Sequence, residues 1–215
     1  MKTPLNKKIL QNHLTYAWWK YALIALLAVV GWSLIYSMTE YRAPEEKKII
    51  LGVYAYGSDA NIAPYMESVR AELLPEMEDV SPMYMAPDAT HGVMILQTRI
   101  AARECDIYVL TRDTFQGFAA QGAFMPLNTV LPDTVAALEE AGVSLSRGWR
   151  TLEETGEKNL YGIPCADLPG MSAMLQCDTS DMYLCVFFET GNNENVLTFT
   201  ERFIRDMMVA PEAVQ

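Results

Sequence analysis

The stretch Tyr21-Ala-Leu-Ile-Ala-Leu-Leu-Ala-Val-Val-Gly-Trp-Ser-Leu-Ile-Tyr-Ser-Met38 runs 18 residues without a charge. As a helix it rises about 27 Å, close to the hydrocarbon thickness of a bilayer, and it predicts one transmembrane helix over 21–38. Trp18, Trp19 and Tyr21 stand at one end and Trp32, Tyr36 and Tyr41 at or beyond the other, where amphipathic rings favour the headgroup level. Lys2, Lys7, Lys8 and Lys20 precede the span with no acid among them, whereas 40–48 mixes Glu40, Glu45 and Glu46 with Arg42, Lys47 and Lys48. The positive-inside bias then predicts a cytoplasmic N-terminus and an extracellular remainder. A cleavable signal peptide has a shorter apolar core that closes at a small-x-small site, and this one ends in Ile35-Tyr36-Ser37-Met38. No cysteine lies near that end to carry a lipid anchor.

Four of the 16 Lys and Arg and none of the 27 Asp and Glu precede residue 39, which leaves the remainder of the chain at −15. Such a surface repels phosphate backbones, so nucleic acid is not an expected partner. Solubility beside a membrane is a better explanation of the charge than an acidic binding patch. The residues after the span number enough for one ordinary domain. The predicted organisation is a cytoplasmic tail over 1–20, the span over 21–38, a linker over 39–48 and one extracellular domain over 49–215.

From Ile49 the pattern alternates β-like runs with amphipathic helices. Ile49–Tyr56 reads as a buried strand, Gly57-Ser58-Asp59 supplies turn and cap chemistry, and Ile62, Met66, Val69 and Leu73 repeat at helical spacing. Val80–Ala86 is a second strand, after which Thr90 can cap a helix with Val93, Met94, Ile100 and Ala101 on one face. Asp106–Leu110 is the third strand, followed by a short helix over 114–121 that Gly122 closes. The order β-α-β-α-β predicts a parallel sheet covered by helices, with the first three strands side by side. Further on, a helix near 134–141, a hairpin of 149–152 with 160–163 turning at Gly156, and a strand over 182–188 are expected. A last helix from Glu194 aligns Val196, Phe199, Phe203 and Met207.

Three phrases carry a resemblance to a known family: Cys105-Asp-Ile-Tyr-Val-Leu-Thr-Arg-Asp113, Phe118-Ala-Ala-Gln-Gly-Ala-Phe-Met-Pro-Leu127 and Leu160-Tyr-Gly-Ile-Pro164. In this order they resemble the extracellular solute-binding proteins, of the sugar-binding type, that serve bacterial ABC importers. The similarity spans roughly 49–208. It implies a periplasmic-binding-protein-like lobe in which the first phrase is a strand facing the ligand cleft, the second leads to the rim, and the third opens the crossing to a second lobe. Only Cys165–Asp181 lies between that crossing and the returning strand, so the resemblance implies a single lobe. The expected fold is therefore α/β: one transmembrane helix, then one lobe with a mainly parallel sheet flanked by helices.

Ligands of parallel α/β sheets sit beyond the carboxyl ends of the strands, which here places Tyr56, Gly57, Ser58, Asp59, Thr111, Arg112, Asp113 and Phe115 at one edge, with Tyr161 near them. Aromatic faces stack on sugar rings and carboxylates accept from their hydroxyls. Tyr56, Ser58, Asp59, Arg112, Asp113 and Tyr161 are accordingly the candidate ligand-binding residues. Asp59 and Asp113 serve equally well as helix caps or turn formers, and each tyrosine as a residue at the rim of the core. Cys105, Cys165, Cys177 and Cys185 allow three pairings if all join, and a bridge among the last three is open. Cys105 and Cys185 also read as small buried residues. A catalytic thiol needs a base, and nothing ties His91 to a cysteine. The sequence holds no CxxC, HxxxH, phosphate loop or GxSxG, so no cofactor, metal or catalysis is expected. Two functions follow: a membrane-tethered, non-enzymatic solute-binding module for a carbohydrate or other small solute, or a scaffold subunit that docks on a transporter or another membrane protein.

Overall fold

The structure, a computed structural model, describes residues 7–39, 43–88 and 91–209. The interfacial place of Tyr41, the flanking charges of Lys2, Glu40 and Arg42, the side chains of Lys7 and Lys8, and the cap expected at Thr90 lie outside the described residues. The chain divides into two compact units, Met1–Arg42 and Ala43–Gln215.

In the first unit one unbroken helix, α1 (Lys7–Thr39), begins well ahead of Tyr21. Its part Trp18–Thr39 is long and apolar enough to cross a membrane, and none of that part is buried within the structure. At its end the Thr39 hydroxyl donates back to the Ile35 carbonyl at 2.8 Å.

The second unit runs β1 (Lys48–Val53), α2 (Ile62–Leu73), β2 (Asp79–Tyr84), α3 (Gly92–Ala101), β3 (Ile107–Thr111), α4 (Arg112–Ala120), α5 (Leu127–Val130), α6 (Pro132–Glu140), β4 (Trp149–Thr151), β5 (Lys158–Leu160), β6 (Ile163–Pro164), α7 (Met171–Leu175), β7 (Met182–Val186) and α8 (Asn193–Met207). The main sheet has the order β2-β1-β3-β7-β6. β1 pairs parallel with β2 and β3, while β7 runs antiparallel to β3 and β6. The sheet is thus mainly parallel and flanked by helices. On one side Ile49, Leu51, Val53, Ile107, Val109 and Leu184 form a core with Phe199 and Phe203 of α8. On the other, Tyr54, Tyr108, Leu110, Tyr183 and Cys185 meet Leu96 of α3 and Phe115 of α4. Burial on both faces is why β1 and β3 read as continuous apolar runs.

α8 buries the stripe Val196, Phe199, Phe203 and Met207 that its spacing predicts. α2 buries Ile62, Met66 and Val69, but Leu73 is 39% exposed and Leu74, just past the helix, takes its place inside. α3 departs further. Its buried face is Gly92, Leu96 and Ile100, and Val93 and Met94, expected inside, are 48% and 63% exposed. The cause is close packing at the helix start: a Cβ at Gly92 would lie 2.8 Å from the Tyr54 hydroxyl and 2.9 Å from the Ala86 carbonyl. That contact fixes the rotation of α3, and the stripe i, i+4, i+8 from Gly92 follows. The hairpin is also shifted. β4 pairs with β5 in a separate sheet, Gly156 turns between them with φ +72°, and Ile163 leaves the expected hairpin to pair with Leu184 of β7.

Asp106, the second residue of the first resemblance phrase, ties β3 to β1: its carboxylate accepts from the Ile50 amide at 2.8 Å. Burial pushes its pKa up from 3.8 to about 6, against the opposing pull of that amide and of Lys48. A group whose folded pKa is raised stabilises the fold fully only below its unfolded value; the contribution is lost as pH rises from about 4 through about 6. Asp106→Asn keeps an acceptor for Ile50 and removes the charge. It is expected to raise stability at pH 7 by about 2 kcal/mol and to flatten the stability profile between pH 4 and 7, measured by urea unfolding across that range.

Candidate functional site

The carboxyl ends of β1, β2 and β3 and the start of β7 share one edge, because Val53 pairs with Tyr84 and Val109 while Thr111 pairs with Met182. After β1 the chain exposes Tyr56, 69% accessible, while Tyr54 two residues earlier is buried. Ser58 is half-buried and its hydroxyl accepts from the Ala60 amide at 3.3 Å. Asp59 is exposed and its carboxylate makes no hydrogen bond among the described residues, so it is not a side-chain cap. The position before α2 is Asn61, whose amide donates instead to the Ala173 carbonyl at 2.8 Å.

At the end of β3, α4 begins directly at Arg112, two residues earlier than expected. Thr111 precedes it in extended conformation, and the Thr114 hydroxyl donates to the Thr111 carbonyl at 2.9 Å. Asp113 is exposed in the first turn of α4, where a negative charge suits the helix dipole. Arg112 pairs with Asp181, and its amide donates to the Asp181 carbonyl at 2.9 Å. The Tyr183 hydroxyl and Asp181 hold the guanidinium above its ordinary pKa. Tyr183 itself stacks on Phe115 with centroids 4.6 Å apart. Asp181 as a rim residue, and Tyr183 buried beneath Arg112, were not legible, because their place depends on the antiparallel entry of β7.

Tyr161 does not join this rim. It is 2% exposed, within the cluster around Phe115, so its ring has no face to offer a ligand. The edge therefore brings together Tyr56, Ser58, Asp59, Arg112 and Asp113 and leaves Tyr161 in the core. Residues 165–181, the short segment between β6 and β7, fold back toward the same edge: the Tyr84 hydroxyl lies 2.9 Å from the Ser58 carbonyl and 3.0 Å from that of Leu175. Gly57 is required there, since a Cβ would sit 2.5 Å from the Tyr84 ring and 2.6 Å from the Leu175 carbonyl.

All four cysteines are free, and Cys105, Cys165 and Cys185 are buried. Burial pushes the Cys105 thiol up to about 12, and it raises Cys165, Cys177 and Cys185 as well. These groups are thiols and not thiolates at neutral pH. His91 is exposed and lies beside Asp88. Among the described residues no group of three or more His, Cys, Asp or Glu is placed to hold a metal ion.

No family model matches the chain, and no curated protein matches it. Solved structures that match are mainly solute-binding proteins. One, an extracellular solute-binding protein family 1 member from Alicyclobacillus acidocaldarius, is 18% identical with a TM-score of 0.38, over 54% of this chain and 27% of that one. An ABC substrate-binding protein from Listeria monocytogenes, in complex with cycloalternan, is 17% identical with a TM-score of 0.38, over 54% and 28%. The galacto-N-biose/lacto-N-biose I-binding protein of the ABC transporter from Bifidobacterium longum, in complex with lacto-N-biose, is 13% identical with a TM-score of 0.33, over 58% and 29%. The match thus spans under a third of the length of each of these chains.

Proposed function

We propose that the chain is a membrane-tethered, non-enzymatic module of solute-binding type. In this reading α1 crosses the bilayer with its N-terminus in the cytoplasm, and 49–215 stands outside as one lobe offering its strand-end rim to a carbohydrate or other small solute. The observation that carries it is the exposed Tyr56 ring past the carboxyl end of β1, at the edge that also carries the exposed Asp59 and, past β3, the exposed Asp113. A flat ring beside free acceptors suits a sugar's apolar face and hydroxyls. With residues 165–181 in place of a second lobe, the solute rests on an open rim, so affinity is weak and exchange fast.

Full chain in nanodiscs, screened by thermal shift against sugars and oligosaccharides at millimolar concentration, is expected to gain about 3–5 °C with a cognate ligand present at about ten times its Kd. Tyr56→Ala is expected to weaken that ligand about fivefold or more, with the unliganded Tm unchanged. A complete screen without a shift in the wild type would remove the solute-binding reading.

A second reading, a scaffold that docks on a transporter or other membrane protein, is supported by a separate observation: Val93, Met94 and Ile95, three consecutive apolar residues of α3, are all exposed.

A further inference from the structure

Beside that apolar face, Val93 and Gln97 of α3 and Asp113, Thr114, Gly117, Phe118 and Gln121 of α4 and its end line a groove of about 430 Å³. Its floor is open because α4 carries a glycine there: a Cβ at Gly117 would meet nothing within 4 Å. Exposed carboxylates stand at the two ends of α4. Asp113 is in its first turn, and Glu153 is held at its last by the bond from the Glu153 amide to the Ala120 carbonyl, 3.0 Å. Neither carboxylate has an ion-pair partner among the described residues; Arg112, next to Asp113, is engaged by Asp181, and Arg150, three residues before Glu153, lies over the Phe115 ring. A largely apolar trough along the nine residues of α4, with Asp113 at one end and Glu153 beside the other end of the helix, is complementary to a helix with an apolar stripe and basic flanks.

We propose that this groove docks an amphipathic helix of a partner protein, its apolar side chains entering over Gly117 and against Val93 and Phe118, and its Lys or Arg residues meeting Asp113 and Glu153. The proposal rests on the docking reading; it shares Asp113 with the solute reading, and Tyr56→Ala, outside the groove lining, separates the two. Domain-wide charge adds to it: a lobe at −15 steers a cationic segment toward itself and repels an acidic one.

The test uses full chain in nanodiscs and two labelled synthetic helices of twelve residues, each with Leu at i, i+3, i+4 and i+7, one flanked by Lys and the other by Glu. Fluorescence anisotropy is expected to give the Lys peptide about three- to tenfold higher affinity at low salt, with the difference shrinking as ionic strength rises. Gly117→Leu builds into the floor from a position where a Cβ meets nothing within 4 Å, and is expected to lower Lys-peptide affinity at least tenfold while the thermal midpoint holds or rises. Equal binding of the two peptides, or unchanged binding by Gly117→Leu, would overturn the proposal. So would a concentration-dependent dimer of the wild type that Gly117→Leu dissolves, since the occupant would then be a second copy. A photocrosslinker at Met94 that gives no protein adduct in the native membrane would remove docking altogether. An adduct that persists in Gly117→Leu would remove the groove alone.

Discussion

Phe115→Ala is expected to cost about 4 kcal/mol of stability and to loosen the strand-end rim at the same time. The side chain is fully buried, stacks on Tyr183 at 4.6 Å and 10° and on Phe124 at 6.2 Å, and lies under the Arg150 guanidinium at 5.5 Å. Large-to-small changes at such sites lose both transfer free energy and packing around the cavity left behind, about 3–5 kcal/mol for Phe→Ala. Ring stacking adds to the loss, since each aromatic pair contributes about 0.5–1.5 kcal/mol beyond its buried area. Calorimetry of full chain in detergent is the measurement, and at roughly 2–4 °C per kcal/mol for a unit of this size the midpoint falls by about 10 °C. The consequence for the rim follows from Tyr183. With its stacking partner gone, the ring that supports Arg112 is no longer held flat, so under the proposed solute reading any sugar found to bind is expected to bind more weakly at temperatures where the variant remains folded. A drop of less than about 1 kcal/mol would mean that the aromatic layer does not hold the rim.

The parts of this fold legible in the sequence are those with a strong period or a long apolar run. β1, α2, β2, α3 and β3 alternate in the expected order, with β1 and β3 legible as largely buried apolar runs and β2, where only Val80 is buried, legible from its flanking Asp79 and Pro87, and α8 is legible from four apolar residues in one stripe. The rotation of α3 was not legible. Val93, Met94, Ile95 and Leu96 are consecutive, so the pattern offers several stripes, and a backbone contact at Gly92 selects among them. β6 is two residues long, one of them a proline, and α7 has five residues, both too short for periodicity to register. The candidate site divides for the same reason. Tyr56 follows the strand and emerges at the edge, as a residue past the end of a buried run should. Tyr161 carries the same chemistry, yet the approach of Gly162 to the Phe115 ring draws it into the core. Asp181 was hidden because composition does not encode whether a strand enters a sheet parallel or antiparallel.

The glycine contact between the small hairpin and the main sheet gives the other large effect. Gly148→Ala is expected to destabilise the second unit by about 3 kcal/mol or more, with Gly117→Ala as a control of opposite sign. A Cβ at Gly148 would stand 1.8 Å from the Gly162 carbonyl oxygen and 2.8 Å from Leu160 Cδ1. Leucine can turn away, but the carbonyl belongs to the backbone, and Gly162 is itself pressed against Phe115, where a Cβ would fall 2.6 Å from the ring. Relief therefore requires the segment 160–164 to move, which strains the Tyr161 amide bond to the Gly148 carbonyl at 3.1 Å and the pairing of Ile163 with Leu184. Overpacking of a rigid core costs about 1–3 kcal/mol where side chains can give, and here the obstructing atom has no rotamer to change. At Gly117 the added methyl meets nothing, so the helix propensity of alanine acts unopposed and raises stability by up to about 1 kcal/mol. Midpoints from the same calorimetric series decide it. If Gly148→Ala unfolds within a degree of the wild type, the hairpin is not seated on the sheet through this contact, and the glycine of the Leu160-Tyr-Gly-Ile-Pro164 phrase needs another explanation.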